Sequence, residues 1–164
     1  PSEEAMRNVT EYQERPYVCF APASVWATKQ LPIEKWVELS EKQDHIIYLL
    51  GGPNDRTLCE TIKTKSPARI QNVAGELSLM ESVALMKGAV RNYVNDSGPL
   101  HFASAVNAPV TAYFCSTVTD FGFGPLSDDS EVNEVTGLAC RPCGLHGKKG
   151  CPEGHFKCGK EMVV

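Results

Sequence analysis

From Tyr17 to Phe114 short apolar runs alternate with segments of helical periodicity, and no other feature of the chain restricts its fold as strongly. Tyr17–Ala21 (YVCFA) is rich in strand formers and stops at Pro22. His45–Leu50 (HIIYLL) is a continuous apolar run, the pattern of a strand buried on both faces. Ile70–Val73 is a weaker strand, and Ala89–Asn95 and Pro109–Phe114 complete the set. Between them, Ile33–Lys42 carries Ile33, Trp36, Val37 and Leu39 at helical spacing. Arg56–Lys65 follows the turn Gly51-Gly52-Pro53-Asn54-Asp55. Ser78–Lys87 has Ser78 as N-cap, Glu81 three residues on, and Gly88 to end it. Pro99–Val106 is the last helix. Strand and helix alternating through connections of a few residues predict right-handed βαβ units and a parallel, doubly wound α/β sheet. Beyond Asp120 the regularity fails: Gly122, Gly124 and Pro125 punctuate a loop, and a Cys-rich tail follows. The expected organisation is one α/β domain over residues 1–135 and a Cys-rich extension over 136–164 packed on it.

Composition narrows the function classes. Sixteen basic against twenty acidic residues leave a net charge of −4, which argues against a general nucleic-acid binder. No apolar run approaches the roughly 20 residues a membrane-spanning helix needs. The opening PSEEAMRN is polar and acidic, unlike a secretory signal, and it begins without Met, so a piece of a longer protein is expected.

In a doubly wound sheet, ligands bind outside the carboxyl ends of the strands. The loops to inspect are therefore Pro22–Leu31, Gly51–Asp55, Asp96–His101 and Cys115–Pro125. None carries G-x-G-x-x-G or a P-loop, so a dinucleotide or Walker-type site has little support. The segment Asp96-Ser97-Gly98-Pro99 has the logic of an anion site. Pro99 suits the first helical position, Gly98 lets a ligand approach the backbone, and the helix start presents free N–H groups. A carboxylate beside a phosphate is repelled, so Asp96 suits sugar hydroxyls, with Ser97 and the amides left for phosphate. The plain alternative is that Asp96 or Ser97 caps the helix and His101 is structural. Lys29, with Ser24 in the same loop, can neutralise a phosphate as a point charge, or simply be solvated. Asn54 or Asp55 suits a ribose, or an ordinary turn.

Seven cysteines fall into two groups. Cys19, Cys59 and Cys115 sit in apolar contexts and read as buried small hydrophobes. Cys140, Cys143, Cys151 and Cys158 follow C-x2-C-x7-C-x6-C, with His146 and His155 interleaved. Four thiolates so close in sequence can close a tetrahedral structural zinc site; free thiols or disulfides are the alternatives.

Taken in order, these pieces resemble the C-terminal domain of the ADP-heptose:lipopolysaccharide heptosyltransferases, glycosyltransferase family 9. The similarity runs from about Tyr17 into the tail, and its most specific element is AGELSL followed by DSGPLHFASAVNAPV. The resemblance implies a Rossmann-like domain, one half of a GT-B glycosyltransferase, that holds a nucleotide sugar. It places Ser24 and Lys29 at the diphosphate and Asp96, Ser97, Gly98 and His101 around sugar and diphosphate. It also puts Asn54 or Asp55 near the adenosine ribose and Leu77 by the adenine. Val25 departs from the family pattern, standing where some members carry a second hydroxyl. The implied activity is transfer from ADP-heptose or a related nucleotide sugar, with inversion, in lipopolysaccharide core biosynthesis. No cofactor is required for it. The catalytic base and the acceptor site belong to an N-terminal domain outside this sequence, so the fragment alone is expected to be inactive. A cytoplasmic place, with peripheral association at the inner membrane, follows for the whole protein. Two other readings stand beside it: a nucleotide-sugar epimerase or hydrolase-like domain using the same cleft, and a metal-stabilised interaction module.

Overall fold

The computed structural model describes all of residues 1–164. Six strands form one parallel sheet: β1 (Tyr17–Ala21), β2 (Ile46–Leu49), β3 (Ile70–Asn72), β4 (Arg91–Asn95), β5 (Val110–Phe114) and β6 (Ser130–Glu134). Their order across the sheet is β3-β2-β1-β4-β5-β6. Every neighbouring pair is parallel. This is the dinucleotide-fold order, in which the chain reverses direction across the sheet between β1 and β4. The helices are α1 (Glu3–Asn8), α2 (Ile33–Glu41), α3 (Arg56–Lys65), α4 (Leu79–Gly88), α5 (Gly98–Ala105) and the single turn α6 (Lys157–Lys160).

All five residues of β1 and of β5 are buried, so both strands lie inside the sheet. Their side chains alternate between two cores because successive residues point to opposite faces. Tyr17, Cys19 and Ala21 join Leu85, Met86, Leu100 and Ala103 on the face covered by α1, α4 and α5. Val18 and Phe20 join Trp36, Leu39, Cys59 and Ile62 on the face covered by α2 and α3. Trp36 is fully buried and packs at a tilt on Phe20, with ring centroids 5.3 Å apart. The expected capping box closes α4: Ser78 Oγ accepts from the Glu81 amide at 3.3 Å, and Glu81 Oε2 accepts from the Ser78 amide at 2.7 Å.

Two elements differ from the sequence reading. α1 was not expected, and it docks on α4, where Asn8 Nδ2 donates to Glu81 Oε1 at 2.7 Å. β6 was not expected either. Its sequence SEVNE carries one apolar residue, Val132, because an edge strand with one flank in solvent needs no apolar run. The tail is packed into the second core, to which it contributes Cys158 and Met162.

Candidate functional site

A cavity of about 510 Å³ opens at the carboxyl ends of the central strands. One rim comes from the loop after β1, with Ala23, Ser24 and Val25. A second comes from the turn after β2, with Gly51, Gly52, Pro53 and Asp55. The third is the start of α5, with Ser97, Gly98, Pro99 and Phe102. Leu77, Leu79, Ser82 and Met86, before and along α4, close the fourth side.

The α5 rim has the geometry of an anion cradle. Ser97 is the N-cap residue in extended conformation, yet its side chain makes no cap bond; its hydroxyl donates to Asn95 O at 3.4 Å. Asp96 does not cap either, so the plain capping alternative fails for both. The Ser97 and Gly98 amides find no acceptor within the protein, and Pro99 has none to offer. A Cβ added at Gly98 would meet only the Phe102 ring, at 3.5 Å. Gly98 is thus open on the cavity side.

Asp96 has turned inward. It is 4% exposed, and Oδ2 takes both Lys29 Nζ at 2.6 Å and the Thr117 hydroxyl at 2.6 Å. Lys29 and Asp96, expected at the diphosphate and around the sugar, form an ion pair in which Asp96 is buried and Lys29 partly exposed, and neither lines the cavity. Asn95 fixes the geometry around this pair. Its Oδ1 accepts from the Leu31 amide at 2.9 Å and its Nδ2 donates to Pro22 O at 2.8 Å, clamping both ends of the Lys29 loop to β4.

Of the two ribose candidates, Asp55 lines the cavity and Asn54 does not. Asp55 Oδ2 accepts from the Gly52 amide at 2.8 Å and so folds its own turn. Ser24, Leu77, Ser97 and Gly98 also line the cavity. His101 lies outside it, exposed on α5, with its ring edge-on to Phe123 at 6.4 Å. Ser82, Met86 and Phe102 line it without having been singled out. The signal was available: Leu79, Ser82 and Met86 are spaced i, i+3, i+7 on α4, and Phe102 lies one turn after Gly98.

The tail thiols do not assemble the expected zinc site. All four are free, and no three His, Cys, Asp or Glu side chains converge on a point that could hold a metal ion. Cys143 Sγ instead donates to Cys140 O at 3.4 Å, Cys140 Sγ lies 3.9 Å from His155 Nε2, and Cys158 is buried in the core. Burial, then the neighbouring tail thiols, pushes the Cys158 thiol up to about 11, and the same causes raise Cys143.

The profile of Glycosyltransferase family 9 (heptosyltransferase) matches residues 1–156. The chain belongs to this family. Among curated members, lipooligosaccharide heptosyltransferase 2 of Haemophilus influenzae is 31% identical over 127 residues, covering 73% of this chain and 36% of that protein. Lipopolysaccharide heptosyltransferase 2 of Escherichia coli is 29% identical over the same shares. The chain therefore spans about a third of the length of these family members. Among solved structures, E. coli ADP-heptose lipopolysaccharide heptosyltransferase II superposes with a TM-score of 0.73 at 25% identity, over 87% of this chain and 49% of that one. The dodecameric iron-containing heptosyltransferase TibC, in complex with ADP-D-β-D-heptose, superposes at 0.62 and 18% identity over 89% and 41%. At that identity the likeness speaks to the fold alone, and the iron is a property of TibC. No helix of the chain is long and apolar enough to cross a membrane.

Proposed function

We propose that this chain is the donor-binding half of an inverting glycosyltransferase that uses ADP-heptose or a related nucleotide sugar in lipopolysaccharide core biosynthesis. The observation that carries the reading is the cavity at the strand switch point, faced by the unpaired Ser97 and Gly98 amides at the start of α5. Free N–H groups at a helix start, with the positive end of its dipole, favour a diphosphate and offset the charge that develops as it leaves. Leu77 and Met86 offer an apolar wall to the adenine, and Asp55 an acceptor to the ribose hydroxyls. Ser24 donates to phosphate from the opposite rim.

Lys29 stands one layer back, where its charge offsets Asp96 and adds to the field behind the α5 rim. Asp96 spends Oδ2 on Lys29 and Thr117, which leaves Oδ1 for a sugar hydroxyl. The acceptor and the general base come from the remaining length of the enzyme, working in the cytoplasm at the inner-membrane surface. Residues 1–135 are the donor domain in this reading, and 136–164 an extension that braces it. The Haemophilus influenzae and E. coli relatives are lipooligosaccharide and lipopolysaccharide heptosyltransferases, which supports the substrate class.

Isothermal calorimetry of the chain with ADP tests the reading. One-site binding to ADP, stronger than to UDP or GDP, is expected. No heat of binding up to millimolar ADP would overturn it.

A further inference from the structure

The Cys-rich tail touches the donor site's ion pair from behind, through contacts that neither the cavity nor the thiols explain. Thr28, immediately before Lys29, is 3% exposed. Its amide donates to Lys148 O at 3.1 Å, and its hydroxyl oxygen accepts from the Lys148 amide at 2.8 Å and from Ser116 Oγ at 3.0 Å. One threonine thus binds the Lys29 turn, the tail and the stretch after β5 together. At the next tail position, Gly147 lies against the stem of Lys29. A Cβ there would come within 2.7 Å of Lys29 Cγ and 2.4 Å of Trp26 Cβ. Only a glycine fits so close an approach.

The tail grips the other partner of Asp96 as well. Arg141, in the tail, donates to Thr117 O at 2.6 Å, to Cys115 O at 2.7 Å and to Phe114 O at 3.0 Å. The Cys143 amide donates to Ser116 O at 2.9 Å. Lys29 and Thr117, the two groups that hold Asp96 Oδ2, are therefore each seated by the same eight-residue stretch, 141–148.

We propose that segment 141–148 is a positioning element for the donor site. In it Gly147 and Lys148 set Lys29 through Thr28, and Arg141 sets Thr117, so that the Lys29–Asp96 pair is held in one place behind the α5 rim, where the diphosphate sits. Thr28 is a positioning residue: it touches no ligand and acts through Lys29. The inference rests on the donor-site reading above, because it needs Lys29 and Asp96 to act on a bound nucleotide sugar.

Thr28→Val keeps the side chain's shape and removes the oxygen that accepts from Lys148 and Ser116. Thr28→Ser restores that oxygen. The test is ADP affinity by calorimetry on the 164-residue chain, alongside adenosine affinity by NMR titration and the melting temperature. Adenosine fills the base and ribose subsites without a diphosphate, so a merely structural defect moves both ligands together. Thr28→Val is expected to lose tenfold or more in ADP affinity with adenosine binding unchanged, and Thr28→Ser to return within threefold of the parent. Gly147→Ala removes none of these hydrogen-bonding groups and pushes on Trp26 and Lys29; it is expected to weaken ADP binding in the same selective way. It also serves should the valine variant fold poorly. Unchanged ADP affinity in Thr28→Val or Gly147→Ala overturns the inference while leaving the donor reading intact. So does equal loss for ADP and adenosine, or no recovery in Thr28→Ser. If the parent chain binds no ADP, the donor reading falls first, and this inference with it.

Discussion

Two loops at the carboxyl ends of β2 and β4, the strands on either side of β1, each offer an aspartate, and the protein uses the two in opposite ways. After β2, Asp55 stays at the cavity wall, and its carboxylate accepts from the Gly52 amide, folding its own turn. After β4, Asp96 is buried and bound to a lysine from one loop and a threonine from another. The first carboxylate is local and replaceable within three residues. The second is the meeting point of segments from residues 29, 96 and 117. A charge removed from water must be paired, and pairing recruits distant parts of the chain. The β4 side of the cleft is accordingly built as a rigid wall, and the β2 side as a self-contained turn.

The sharpest way to break this contrast is Lys29→Met, which leaves the Asp96 carboxylate without its cation. A loss of about 3–5 kcal/mol is expected from chemical denaturation. The double variant Lys29→Met/Asp96→Asn should recover most of it, since no buried charge then lacks a partner. If the single variant is as stable as the parent, Asp96 is not held as described. Thr117→Val comes next. Removing one hydrogen bond to a buried charge should cost roughly 1.5–3 kcal/mol in the same measurement. Gly98→Ala probes the wall's ligand side. Its Cβ meets only Phe102 at an ordinary contact distance, so the melting temperature should hardly move. ADP affinity should nonetheless fall about tenfold, or roughly 1.4 kcal/mol. Equal affinity in the variant would place the ligand away from α5. Asp55→Asn has the smallest expected effect on the fold, about 0.5–1 kcal/mol or less, the scale of an exposed cap bond. Its weakening of ADP over adenine, which lacks the ribose, would mark it as the ribose acceptor.

The fold was legible because its signal is local. YVCFA, HIIYLL and the helices between them announce buried strands and βαβ crossovers through periodicity alone, and parallel crossovers have one hand. β6 was not legible, since its neighbour β5 supplies the hydrogen bonds and SEVNE needs only Val132 on the core face. Site residues split along the same line. Ser24, Asp55, Ser97 and Gly98 line the cavity from post-strand loops that the strand-helix alternation already marks, whereas Leu77, which also lines it, came only through the family resemblance. That His101 does not line the cavity was not legible in its spacing, because its placement depends on how α5 rotates against the sheet.

The sequence by itself determined the strand-helix alternation, the glycine and proline that open α5, and the family. Tertiary structure decided what the charges do. Whether Asp96 faces a sugar, a helix end or a lysine depends on the desolvation imposed by neighbours 67 and 21 positions away along the chain, and periodicity carries no information at that range. The same holds for the tail. Its cysteine spacing suggests a metal, yet its place in the protein is set by backbone groups, at Thr28 and at Phe114 to Thr117, that no motif records.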